Sequence, residues 1–356
     1  MIVYVTKRYH DYTLNDRFLD YWRPDLRAMV RLETYENLLH AKKLPLCTYI
    51  FTDIARLSPF EQEAAARIHA SLEASDPGGL RINHPLKSKR RFALLQSPHE
   101  AGVNLVGVYR AGDNPRPARF PVFVRDANDH DGPTSPLIDD QDALDRWLAA
   151  RLDDGQSLSG WMVIEYQETR KDGGPFIKYG GYCVNGRIMT QHVLFDDQWV
   201  VKFGAGQAGD PGRVAFEYDY VQNQPHREQI ARIFELANIE YGRIDYGVVD
   251  GRVQTFEINT NPSVVPSPRL GDAREPTRER FVEHYSEALI ARDSPARGHV
   301  AVEPSVRPAY DALREVYRVY GEKVGWFAAR KAVRKRFGRG RCRRIKARFW
   351  AQMRAE

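Results

Sequence analysis

Apolar and polar positions along the chain fall into short alternating runs separated by polar, Gly- and Pro-containing stretches. "MIVYV", "LCTYIFTD" and "GLRINH" carry the β-branched and aromatic density of strands, whereas "ETYENLLHAKK" and "SPFEQEAAARIHASLEAS" repeat at helical spacing, the second with a capped start. Strands that alternate with helices predict a small parallel sheet for the first 85 or so residues. Next, "SKRRFALLQSPHEAGVNLVGVYR" predicts a helix that stops near Gly102 and then a strand. "RFPVFVR" is a strand, "DANDHDGPTSPL" a polar loop, "DDQDALDRWLAARL" a helix and "WMVIEYQ" a strand. Residues 175–203 hold further strands around the turn "VNGR", and "HREQIARIFELANIE" is an amphipathic helix. The Pro-rich text from Pro262 to Pro276 reads as loop, after which helices resume.

The stretch "RIDYGVVDGRVQTFEINTNPS", residues 243–263, alternates like a hairpin yet places Asp245, Glu257 and Asn259 among its apolar positions. A two-residue loop at Asp250 and Gly251 would pair Val249 with Arg252 and Asp245 with Phe256, mixing polar and apolar side chains on both faces. A three-residue loop, Val249 to Gly251, with Gly251 left-handed in a bulge, pairs Val248 with Arg252 and Asp245 with Thr255. Ile244, Tyr246, Val248, Phe256 and Ile258 then share one face, and Asp245, Gly247, Thr255, Glu257 and Asn259 the other. Two carboxylates and an amide oxygen side by side repel unless a cation lies between them, and oxygen-only ligands suit Mg²⁺ shared with phosphates. The competing account is a solvated sheet face.

With 356 residues, 42% apolar and 28% charged, the chain has material for a sizeable core. It contains no apolar run of the roughly 18–20 residues a spanning helix needs, and its start lacks a signal-peptide layout, so a soluble cytoplasmic protein is expected. Cys47, Cys183 and Cys342 stand far apart and support neither a disulfide framework nor a zinc site. The ten histidines show no metal spacing; His192, on the strand "MTQHVLF", reads as structural. "GAGQAG", Gly204 to Gly209, matches a dinucleotide fingerprint after the strand "QWVVKF", but Pro211 and Gly212 are expected to stop the helix that such a site needs. A flexible loop on the substrate side fits that segment better.

The net charge of +6 hides an asymmetry: Lys323 to Glu356 carry 13 Lys or Arg and one acid, leaving 40 basic against 46 acidic residues elsewhere. In that tail Trp326, Val333 and Phe337, and then Ile345, Phe349 and Met353, fall at helical spacing, broken by Gly338 and Gly340. Two short basic amphipathic helices would bind an anionic partner, a membrane surface or RNA, or pack on the protein with their charges solvated.

The hairpin, with an Asp followed a dozen residues later by Glu-x-Asn, resembles the last core hairpin of the ATP-grasp superfamily, where these residues bind magnesium. The order of elements can be followed through residues 80–262 and is most similar to glutathione synthetase and glutamate ligases. The resemblance implies an α/β fold, an α+β sandwich of ATP-grasp type, in three parts. A small parallel N-terminal α/β domain spans 1–85, a two-lobed ATP-grasp domain 86–292, and a C-terminal helical basic extension 293–356. It further implies ATP and Mg²⁺ as cofactors, with Asp245, Glu257 and Asn259 as metal ligands. The first phosphate-binding cation falls at Arg91, with Arg90 and Lys89 as rivals, and the second at Arg125, where Lys is usual. "DANDHDGPTSPL" stands where a Gly-rich loop covers the phosphates, with only Gly132. Glu165 and Tyr166 take the hinge whose backbone reads adenine, and Glu168 a ribose contact; Glu165 could instead be a strand residue facing water. Phe176 replaces an Asp, and Lys178 takes an Arg position near the γ-phosphate. Lys202 and Arg269 are available to bind a substrate carboxylate.

The implied activity is ADP-forming ligation: Arg91, Arg125 and Lys178 assist phosphoryl transfer to a small-molecule or peptide carboxylate, and an amine or other nucleophile attacks the acylphosphate. Two alternatives are a kinase acting on a non-carboxylate acceptor and a non-catalytic nucleotide-binding protein whose tail docks on membrane or RNA.

Overall fold

The computed structural model describes residues 1–302 apart from 9, 129–131, 171–172, 203–208 and 269–270. By contacts, Met1–Val302 form one compact unit. The basic tail and its expected helices lie outside the described residues, as do Arg269 and most of "GAGQAG". Among the described residues no helix is long and apolar enough to cross a membrane.

Strands β1 (Ile2–Thr6), β2 (Val30–Thr34), β3 (Lys43–Pro45), β4 (Thr48–Phe51) and β5 (Arg81–Ile82) open the chain, with helices α1 (Tyr35–Leu38) and α2 (Pro59–Ser75) among them. Four strands form the expected parallel sheet in the order β2-β1-β4-β5. All five residues of β1 and all four of β4 are buried, as in a sheet covered on both faces. Helix α2 starts in a capping box between Ser58 and Glu61. Helix α1 is shorter than the spacing of "ETYENLLHAKK" predicts, because Glu33 and Thr34 are drawn into strand pairing with Val5 and Thr6.

Helix α3 (Arg91–Glu100), strands β6 (Val108–Arg110) and β7 (Val122–Asp126), helix α4 (Gln141–Asp153) and strand β8 (Trp161–Glu165) follow. Their antiparallel sheet runs β6-β8-β7. As predicted, α3 ends just before Gly102, whose φ of +68° suits glycine after a helix C-terminus.

A second antiparallel sheet, β10-β9-β11-β12, comprises β9 (Phe176–Val184), β10 (Arg187–Asp196), β11 (Tyr241–Val249) and β12 (Arg252–Asn259). Helices α5 (Pro211–Asn223) and α6 (Arg227–Ala237) connect β10 to β11. Helix α7 (Glu275–Ile290) comes next, and β13 (His299–Ala301) pairs with β3, so part of the expected helical extension is strand.

Two expectations upstream of α5 are corrected. The described part of "QWVVKF", Gln198–Lys202, is not a strand: β10 ends at Asp196, and the following residues bend, with Trp199 against Phe123 and Tyr166. "DPGR" does not stop a helix but starts one, since Pro211 occupies the first turn, where no amide hydrogen is needed, and Asp210 accepts from the Gly212 and Arg213 amides.

Two buried asparagines join the parallel sheet to the antiparallel one. Asn83 donates to the Phe51 and Tyr241 carbonyls and accepts from the Glu240 and Tyr241 amides, bridging β4 to the start of β11. Asn261 accepts from the Tyr4 and Thr13 hydroxyls and donates to Thr6 Oγ1 and Asp53 Oδ2. The end of β12 is thus pinned to the carboxyl ends of β1 and β4.

Candidate active site

The hairpin of β11 and β12 does not use the predicted turn. Val249 pairs with Arg252, and Asp250 and Gly251 both have positive φ (49° and 74°), so the loop has two residues. The extra residue sits inside β12 instead: the register shifts between Asp245 and Tyr246, leaving Phe256 without an opposite number. Asp245 therefore lies opposite Glu257 rather than Thr255, and Arg243 opposite Asn259. Strand periodicity puts Arg243, Asp245, Glu257 and Asn259 on one face, while the alternating Ile244 and Ile258 join the core. Phe256, predicted on the apolar face, lines the carboxylate-side cavity instead.

Four cations surround the two carboxylates. Arg243 grips Asp245 with Nε at 2.7 Å from Oδ1, and Lys178 Nζ stands 3.5 Å from Oδ2. Arg91, at the first turn of α3, donates to Glu257 Oε2 at 2.7 Å, and the Arg125 guanidinium from β7 lies 3.8 Å from the same oxygen. The N-cap residue Arg90 points to the Leu57 carbonyl and Lys89 to Ser97 Oγ, so of the three rivals Arg91 is the one at Glu257. Burial works to raise the Asp245 pKa, but Arg243 and Lys178 outweigh it and hold the carboxyl near 2. Arg243 was missed by sequence reasoning, although its place two residues before Asp245 gave it the same strand face.

Arg125, Lys178, Arg243, Asp245 and Glu257 line a cavity of about 450 Å³ whose lining also includes Phe123, Ile164, Tyr166 and Trp199. Trp199 tilts against Phe123 at 5.2 Å between ring centroids and meets Tyr166 edge-on at 5.8 Å. Gly132 and Lys202 also line the cavity. Phe123 and Trp199 carried no motif to single them out.

Glu165 lines the cavity, but its carboxylate is taken up by protein donors rather than water. It is 2% exposed and accepts from the Gly107, Ala118 and Arg119 amides and from the Tyr109 hydroxyl. Burial alone would raise its pKa; the Gly107 amide, Tyr109 and Arg119 overcome this and lower it. The side chain thus ties residues 107–119 to the end of β8. The Tyr166 amide is also engaged, donating to the Pro121 carbonyl. Glu168 does not line the cavity; its carboxylate is held by Arg170, with guanidinium Nη2 at 2.8 Å. Phe176 and Lys178 do line it.

Asp245, Glu257 and Asn259 present oxygen donors, the kind a hard divalent cation takes, but three such residues leave its coordination to be completed by phosphate oxygens or water. Among the described residues no cluster of three or more His, Cys, Asp or Glu could hold a metal alone. The donor set therefore fits Mg²⁺ arriving with a polyphosphate.

His192 fills the same row of the sheet. Gly180 lies opposite both His192 and Asp245, and with no side chain it leaves room for the imidazole. Burial, then Arg243, depresses the His192 pKa well below its usual value, so the ring is neutral at pH 7. A Cβ at Gly180 would lie 2.5 Å from the His192 Cε1 atom. Gly180→Ala is expected to displace that ring and destabilise the fold by about 1–3 kcal/mol, measured by denaturant unfolding. An unchanged midpoint would show that the ring moves without strain.

Neither a protein-family model nor a curated protein sequence matches the chain. Solved structures do. D-alanine–D-alanine ligase from Bacillus anthracis aligns over 82% of this chain and 98% of its own, at 13% identity and TM-score 0.44. ATP-grasp ligase PsnB, complexed with minimal precursor, aligns over 82% and 99%, at 12% identity and TM-score 0.45. L-amino acid ligase from Bacillus licheniformis aligns over 83% and 77%, at 10% identity and TM-score 0.38. The chain's own element order and pairing, with a three-stranded and a four-stranded antiparallel sheet both lining one cavity, make it a mixed α/β fold.

Proposed function

We propose that the protein is an ATP- and Mg²⁺-dependent, ADP-forming ligase that activates a substrate carboxylate for attack by an amine or other nucleophile. The observation that carries this reading is four cations, Arg91, Arg125, Lys178 and Arg243, gathered on the facing carboxylates Asp245 and Glu257 at the polar end of an aromatic-walled cavity. The excess of positive charge suits a polyphosphate, and the apolar wall suits a base.

In the proposed reaction a carboxylate oxygen bonds to the γ-phosphorus as its bond to the β-phosphate oxygen breaks, and ADP leaves. The nucleophile then attacks the acyl carbon, phosphate departs, and the nucleophile's proton passes to solvent. Arg91, Arg125 and Lys178 hold the transferred group, where charge neutralisation supplies most of the catalysis. Asp245, Glu257 and Asn259 would hold Mg²⁺, which neutralises phosphate charge. Arg243 keeps Asp245 ionised and oriented. Phe123, Tyr166 and Trp199 form the wall for the base.

Calorimetric titration of a non-hydrolysable ATP analogue, with and without Mg²⁺, tests the reading. Magnesium-dependent binding is expected, and absence of binding under both conditions would remove the nucleotide from the proposal.

A further inference from the structure

A second crevice lies beside the end of β12, between the segment after β4 and residues 88–91. It measures about 30 Å³ and shares no lining residue with the large cavity. The two adjoin nevertheless: Arg91 and Asn259 line the crevice, while Arg91 bonds to Glu257 in the cavity. We infer that the crevice seats a second carboxylate of the acceptor substrate, on Arg90 and Lys89 with Arg56 beside them, making the acceptor a small aliphatic diacid. This inference rests on the ligase reading.

The charge balance points to an anion. Asp53, the one acid among the lining residues, is already committed, accepting from Thr6 Oγ1, the Lys7 amide and Asn261 Nδ2, with Arg56 Nε 3.4 Å away. Arg90 and Lys89 have no acidic partner among the described residues: Arg90 donates to the Leu57 carbonyl and Lys89 to Ser97 Oγ. The Arg90 Nε atom is buried without a hydrogen-bond partner, and burial depresses this guanidinium's pKa with no carboxylate to offset it. A partly buried guanidinium without a counter-charge favours an incoming anion at its accessible atoms.

Size and place define the anion further. About 10–15 Å³ already admits a water, so the crevice accepts a carboxylate-sized group but not a nucleotide. Ile54, Ile239 and Ile258 add an apolar side suited to methylenes. The segment Asp53–Arg56 follows the carboxyl end of a parallel strand, where open sheets present ligand crevices. The carboxylate that reacts must meet the phosphate among Arg125, Lys178 and Glu257, on the other side of the Arg91–Glu257 pair. A group in the crevice is therefore a separate one.

The test is titration of succinate, glutarate and adipate, with butyrate as the monoacid control, into full-length protein saturated with Mg²⁺ and the ATP analogue. At least one diacid is expected to bind more tightly than butyrate. Arg90→Gln should weaken that diacid about 10- to 100-fold while leaving the nucleotide Kd unchanged. Lys89→Gln provides the same comparison should Arg90→Gln fail to fold. Nucleotide binding with no preference for any diacid, or a preference insensitive to both substitutions, would overturn the crevice assignment and leave the ligase reading standing. Failure of the nucleotide to bind wild type would instead remove the ligase reading, and the diacid reading with it.

Discussion

Glu257→Ala is expected to lower Mg²⁺-dependent ATP turnover by at least about 10²–10³-fold, the usual cost of removing a preorganised electrostatic group. Glu257 holds both Arg91 and Arg125, which come from different elements of the other lobe, and it stands opposite Asp245. Its removal takes away a proposed metal ligand and the acid that aims both guanidinium groups. The side chain is 24% exposed, so solvent can screen the cations left behind, and the melting temperature should move little. Glu257→Gln keeps the shape but not the charge and should lose turnover as well. Turnover near the wild-type rate in a folded Glu257→Ala protein would sink the site assignment.

The second large effect is expected far from any motif. Asn261→Asp should destabilise the fold by at least about 3 kcal/mol, as an unpaired buried charge does. The Asn261 amide nitrogen lies 2.9 Å from Asp53 Oδ2, so the substitution sets two buried carboxylates against each other. Thermal unfolding at neutral pH would show a lowered midpoint. Acidification should recover part of the loss, because protonating one carboxyl restores a donor between them. Thr13→Ala, which removes one hydroxyl from the Asn261 oxygen, should cost only about 1 kcal/mol. A wild-type midpoint for Asn261→Asp would mean that the network does not hold the sheets together.

Asn261 also shows where sequence reading stopped. Its place after Glu-x-Asn marked the segment, but nothing in "NTNPS" announces that its amide meets Tyr4, Thr6, Thr13 and Asp53, all from the first 53 residues. Glu165 failed for the same reason: its position at the end of a strand was visible, whereas the amides and the hydroxyl that bury it come from residues 107–119. The hairpin turn failed more instructively. The need for one extra residue to separate the faces was correct, but the bulge could sit at the turn or inside the strand. Packing of Phe256 into the cavity chose the strand.

What the chain determined locally was most of the elements, though not β2, β3, α5 or β13, the parallel character of the first sheet and the common face of Asp245, Glu257 and Asn259. Those follow from side-chain periods of two and 3.6 residues and from capping groups such as Ser58 and Asp140, all short-range effects. Only the tertiary structure decided which of Lys89, Arg90 and Arg91 meets Glu257, that Arg243 rather than solvent neutralises Asp245, and that Trp199 completes the cavity wall. Such choices depend on charges and rings brought together from distant parts of the chain, where burial sets the energy of each pair and sequence spacing carries no record of it.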